Sequence, residues 1–167
     1  MSAKQLSLRF LHLADLHLYI GPNTTDWKIM EQNKCLNFIL KYAKENSVKD
    51  IIISGDIFDT HNPDTYTVGL FLHFVGDGVA QGLRFWVIPG NHDSCDKSNR
   101  FNSLSSIIKT LNIVNSDPYC GFNVFDCTQV LDQGDFSSYR IYFLPWMEDS
   151  VFSDSLKKIG KSADKIK

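Results

Sequence analysis

The chain is short of the features that most quickly reveal a function. Its four cysteines, Cys35, Cys95, Cys120 and Cys127, form no CxxC pair and no metal-finger spacing. An all-thiolate metal site is therefore excluded, and the cysteines read as reduced packing thiols in a cytosol. No run approaches the roughly 18 apolar residues of a membrane span. Met1 to Gln5 carry no apolar signal core and no small-residue cleavage site, so no signal peptide and no membrane partner are expected. Basic excess is also lacking. Seventeen Lys and Arg stand against 19 Asp and Glu, a formal charge of −2. If nucleic acid is a partner, something other than overall charge must hold it. There is no internal repeat, low-complexity tract or linker. The 167 residues, 43% hydrophobic and 22% charged, exclude a disordered chain and read as one domain over 1–167.

What is present is an alternation of strand and helix. Ser7 to Leu13 has strand length. Asp26 to Asn46 places Ile29, Met30, Leu36, Ile39, Leu40 and Ala43 at helical spacing, with Asp26 as N-cap. Ile51, Ile52 and Ile53 form a β-branched run of the kind buried on both faces. Asn62 and Pro63 resemble a cap and first-turn proline for a helix running to about Ala80, with Leu70, Phe71, Phe74 and Val75 inward. Arg84 to Ile88 is a third strand. This order predicts an α/β fold with a largely parallel inner sheet. Beyond it, Phe101 to Leu111 reads as a helix. Ile113–Val114, Phe122–Phe125, Val130–Leu131 and Tyr139–Leu144 read as strands, some of them antiparallel. Val151 begins a helix that becomes a Lys-rich tail.

Each of the first three strands runs into a chemically distinctive turn: Asp15-Leu16-His17, then Gly55-Asp56-Ile57-Phe58-Asp59, then Gly90-Asn91-His92-Asp93. Ligands of open α/β sheets collect at the carboxyl ends of strands, so these turns should converge. Asp15, His17, Asp56 and Asn91 offer carboxylate, imidazole and amide oxygen, a donor set that suits divalent Mn, Fe or Zn. A carboxylate such as Asp56 can bridge two ions, the standard device for phosphoryl displacement. His92, beside a ligand, is placed to act as an acid or a phosphate-stabilising donor. Gly55 and Gly90 allow sharp turns there.

Together, DLH, GDIFD and GNHD resemble the first three motifs of the calcineurin-like metallophosphoesterase superfamily. Within it the chain is similar to the SbcD-type DNA double-strand-break-repair nucleases, above all the phage recombination endonuclease branch. Thr60 follows GDIFD where the protein phosphatases continue with Arg-Gly, and GNHD ends in Asp where they carry Glu. Phe143-Leu144-Pro145-Trp146-Met147 resembles the Pro-Trp turn of the phage branch.

The resemblance implies a β-sandwich core with flanking helices, and two divalent ions, by family habit Mn, with Mg, Fe or Zn as alternatives. It implies Asp15 and His17 on the first ion, Asp56 bridging, and Asn91 on the second. His92 would contact the scissile phosphate, and Asp59 would hydrogen-bond and orient His92. A hydroxide bridging the ions would attack phosphorus in line. The implied function is a DNA exonuclease or endonuclease subunit of a repair or recombination complex, working with an SbcC-type ATPase in the cytoplasm, the host's if the source is viral. Two alternatives stand beside it: a phosphodiesterase for nucleotides or other small phosphoesters, and an inactive module that binds DNA or a partner subunit.

Later motifs of the superfamily supply one His and then a His-x-His pair. Of the five histidines here, His12, His17, His61, His73 and His92, none follows position 92. The sequence thus reads as an N-terminal portion that lacks the C-terminal strands of the fold, with both metal sites incomplete. A second polypeptide would supply the missing His ligands, unless Asp93, Asp96 or Glu148 substitutes. Uncovered edges and some of the 12 phenylalanines would make such a chain adhesive. Among other residues, His12 reads as structural and His73 as solvated. His61, Lys97 and Arg100 are candidates for substrate contact. Tyr19 is a candidate for base stacking, and Trp27 is placed in the core.

Overall fold

The structure is a computed structural model that describes residues 8–95, 101–105, 107, 121–132 and 139–163. Strands β1 (Phe10–Leu13), β2 (Asp50–Ser54), β3 (Arg84–Ile88) and β4 (Phe122–Val124) form one parallel sheet in the order β1-β2-β3-β4. Helix α1 (Asp26–Glu45) connects β1 to β2, and α2 (Thr65–Ala80) connects β2 to β3. A second sheet pairs β5 (Gln129–Leu131) antiparallel with β6 (Ile141–Phe143), and α3 (Asp149–Ala163) follows. Among the described residues no helix is long and apolar enough to cross a membrane.

Alternation along the strands builds two cores from one sheet. Ile51 and Ile53 of β2, with Phe85 and Val87 of β3, face one side and pack with Leu40, Phe71 and Phe74 of the helices. Ile52 and Trp86 face the other side and meet Leu131 and Phe143 of the hairpin. The parallel sheet is thus covered by helices on one face and by β5–β6 on the other, an α/β sandwich. At the end of the sheet away from the three turns, Asp50 is buried and accepts from Arg84 Nε and Nη2 at 2.8 Å each and from Trp86 Nε1 at 2.9 Å. These bonds tie β2 to β3 in register.

Several boundaries differ from the sequence expectation. Strand β1 begins at Phe10, and Ser7 lies outside the described residues. Thr25, not Asp26, caps α1, accepting from Lys28 N–H. Asp64, not Asn62, caps α2, accepting from the backbone of Tyr66 and Thr67. Trp27 is 66% exposed rather than buried. It lies nine residues before buried Leu36, and at about 100° per residue that is the opposite side of α1. Met30 is exposed as well, about a third of a turn off the buried stripe of Leu36, Ile39, Leu40 and Ala43. Phe38 and Phe101 also stand exposed. Of the helix expected over Phe101–Leu111, Ser105 and Ile107 are helical. The rest of it beyond Ser105, and the strand Ile113–Val114, lie outside the described residues.

Candidate metal centre

The three turns meet because the parallel ladder continues past the strands. Asp15 N–H donates to Gly55 O (3.3 Å), His17 N–H to Asp56 O (3.0 Å) and Leu18 N–H to Ile57 O (2.9 Å). Asp59 N–H returns to Leu18 O at 3.2 Å. The DLH and GDIFD turns therefore run side by side. Asp15, His17 and Asp56 hold positive φ values of 53°, 43° and 51°. Such backbone is costly for residues with a Cβ and persists where surrounding bonds enforce it, which is common at functional sites.

The third turn is fastened to the second by carboxylates. Asp93 is fully buried. Its Oδ2 accepts from Ile57 N–H (3.2 Å) and Gly90 N–H (2.8 Å), and its Oδ1 from Phe58 N–H (3.0 Å). Burial pushes this carboxyl above its usual range, the three N–H donors pull it back, and the charge of Asp56 adds to the rise. Asp93 is thus committed to backbone and is no substitute metal ligand, contrary to that sequence option. Gly90 lies against Asp56 so closely that a Cβ there would overlap the backbone nitrogen and carboxylate of Asp56. Gly55, at φ 89°, packs backbone to backbone on Gly90.

Donor atoms of His17, Asp56 and His92 come within 4.8 Å of one another. His17 Nε2 is 3.9 Å from Asp15 Oδ1 and 4.0 Å from Asp56 Oδ2. The other oxygen of Asp56 accepts from His92 N–H at 2.9 Å. The rings of His17 and His92 meet edge to face, 4.7 Å between centroids. Asp15 sits at the rim with its side chain 72% exposed. Asn91, His61, Asp59 and His92 line a cavity of about 240 Å³ with Thr60 and Ser94. Lys97, Arg100 and Asp96 lie outside the described residues. Glu148 is exposed. The Pro-Trp turn reaches the third loop through Trp146 N–H donating to Pro89 O at 3.2 Å. Away from the cluster, His12 Nε2 is 2.8 Å from Ser54 Oγ, and His73 is exposed on α2.

A divalent cation fits this arrangement. Among the described residues, no lysine or arginine pairs with Asp15, Asp56 or Asp59. His17 Nδ1 is buried without a hydrogen bond, although Asp59 Oδ1 is 3.3 Å away. Mixed carboxylate and imidazole donors with uncompensated negative charge suit a hard or borderline ion.

His92 has a fixed tautomer. Its Nδ1 lies 2.9 Å from the backbone carbonyl of Asp59, which can only accept, so Nδ1 carries the proton and Nε2 faces outward. The carboxylate of Asp59 turns instead toward His17. That carbonyl bond raises the His92 pKa above its ordinary value, against slight desolvation, with help from the charges of Asp56, Asp59 and Asp93. In the metal-free chain, NMR titration is expected to place the His92 midpoint above about 6.5. Its contribution to folding is then complete below the ordinary histidine pKa and is lost as pH rises through the folded value. Asp59→Asn should leave most of the shift, because its main cause is backbone. A midpoint at or below about 6.5 contradicts this geometry.

Strand-end turns from a parallel sheet that gather aspartate and histidine around one point define a metallophosphoesterase centre. The model of the calcineurin-like phosphoesterase family matches residues 8–165, and the chain belongs to that family. It is similar to SbcD, the nuclease component of SbcCD, from Escherichia coli, strain K12, at 33% identity over 104 residues, 62% of this chain and 26% of that protein. The corresponding SbcD of Bacillus subtilis is 32% identical over 101 residues, 59% of this chain and 25% of that one. DNA double-strand break repair protein Mre11 of Archaeoglobus fulgidus is 24% identical over 108 residues, 65% of this chain and 24% of that one. The matched segment spans about a quarter of each relative's length.

Two features of the site were not legible beforehand: the buried staple of Asp93 and the carbonyl that orients His92. An acid directly after Asn-His is a signal for the first. A backbone partner leaves no signal in sequence.

Proposed function

We propose that this chain provides metal-binding and catalytic residues of a DNA phosphodiesterase, the nuclease subunit of a repair or recombination complex. The observation that carries this reading is the convergence of His17, Asp56 and His92 within 4.8 Å. Likeness to nuclease subunits supports DNA as the substrate. Asp15 and His17 hold one ion, Asp56 reaches both, and Asn91 binds the second. Two such ions, Mn by preference, would lower the pKa of a bound water and neutralise charge on the phosphoryl oxygens. With Nδ1–H held by the Asp59 carbonyl, His92 presents Nε2 to the scissile phosphate and, when protonated, donates to the leaving oxygen. His61, in the same cavity, borders the phosphate, and Lys97 and Arg100 contribute charge to the strand. The remaining histidine ligands come from outside this sequence, from a second polypeptide or further chain. An SbcC-type ATPase clamps the DNA, which compensates for a chain of net charge −2. The site works in the cytoplasm.

That same weak acidity favours one second reading, hydrolysis of nucleotides or other small phosphoesters. The test is hydrolysis of a labelled single-stranded oligonucleotide and of bis(p-nitrophenyl) phosphate, with Mn and after chelation. Mn-dependent cleavage of the oligonucleotide supports the nuclease. Cleavage of the small ester alone supports the second reading. Cleavage of neither, with Mn bound, contradicts catalysis by this chain and leaves a binding module.

A further inference from the structure

A groove of about 610 Å³ opens beside the metal centre, between residues 18–22 of the first turn and 60–67 leading into α2. Its volume lies within the roughly 300–1,000 Å³ of small-ligand sites. Thr60 belongs both to this groove and to the cavity that holds His92 and Asn91, so the two are continuous. Among the described residues, no lysine or arginine lines it. A phosphate has no partner there, whereas an uncharged planar group does.

The walls are aromatic and the floor is rigid. Tyr66, on the first turn of α2, is 79% exposed, and Tyr19 is 44% exposed. The Tyr19 ring lies directly over Gly21, where any Cβ would collide with it. Gln32 of α1 clamps the Tyr19 backbone, accepting from its N–H (2.9 Å) and donating to its carbonyl (3.0 Å). Beneath, Ile20 N–H donates to Thr67 Oγ1 (2.8 Å), which lies 2.7 Å from Asp64 Oδ2. These bonds hold the groove open before any ligand arrives, which reduces the entropy lost on binding.

We propose that this groove is a base-binding subsite: the nucleotide beside the scissile phosphate passes Thr60 and inserts its base between Tyr19 and Tyr66. The assignment rests on the phosphodiester reading above and narrows it. A base paired within a duplex cannot enter, so the bound strand presents an unpaired base, from single-stranded DNA or an opened end. Sequence preference is weak, because every base offers a π face.

Two trinucleotides test this in the presence of Mn, one with 2-aminopurine as its central base and one with that base removed. The subsite predicts quenched 2-aminopurine fluorescence on binding and about tenfold weaker competition by the abasic probe, within the range of one base stack. Tyr66→Ala and Tyr19→Ala should each weaken the fluorescent probe about tenfold and relieve quenching, while Tyr66→Phe retains both. Equal binding of the two probes, or unchanged binding by both alanine variants, overturns the groove assignment and leaves the phosphodiester reading intact. Failure of either trinucleotide to bind overturns both.

Discussion

Asp93→Ala is expected to cost about 3–5 kcal/mol of folding stability, a large share of the roughly 5–15 kcal/mol of a typical domain. The carboxylate is fully buried and accepts three backbone N–H bonds, from Ile57, Phe58 and Gly90. Removing it leaves three donors facing a cavity, each costing about 1–3 kcal/mol unless water enters. Asp93→Asn should fall between variant and wild type. Its amide offers one acceptor oxygen, and its NH2 group opposes an N–H. Urea denaturation measures both. The loss should also reach the site, because the same bonds hold the Asp56 turn against the Gly90 turn. A loss below about 1 kcal/mol for Asp93→Ala contradicts the staple.

Asp56→Asn has the opposite profile, a small effect on folding and a large one on chemistry. Asparagine tolerates the left-handed backbone at this position, φ 51°. It also keeps an oxygen to accept the His92 N–H. It removes the charge that faces His17. Changes to groups merely supporting a ligand cost roughly 10–100-fold in metal affinity or activity, so loss of the central carboxylate should exceed about 100-fold in Mn-dependent hydrolysis. The unfolding midpoint should stay near that of wild type. Hydrolysis within about tenfold of wild type contradicts the central role given to Asp56.

The first half of the fold was legible because its signals are strong and local. Ile51–Ile53 could only be a strand buried on both faces, and all four inward positions expected on α2 are buried. Cap positions slipped by one or two residues where neighbouring side chains compete. Thr25 and Asp26 can both cap, as can Asn62 and Asp64, and only the backbone path decides. The turns that build the metal centre were legible as motifs, since each directly follows an apolar strand. Trp27 was misplaced because an aromatic residue near a helix start carries no phase of its own. The groove was not legible at all. Its two walls are some 40 residues apart in sequence and become neighbours only through the parallel pairing of Leu18 with Phe58. Asp93 posed a similar difficulty, because its burial follows from the meeting of two turns rather than from its own neighbours.

Calorimetric titration of the chain with Mn, beside His17→Ala and Asp56→Asn, tests the central claim most directly. The account predicts Mn binding by the wild-type chain that weakens by more than about 100-fold in either variant, with folding retained. Absence of Mn binding, or equal affinity in all three proteins, would contradict a metal centre built from these three turns.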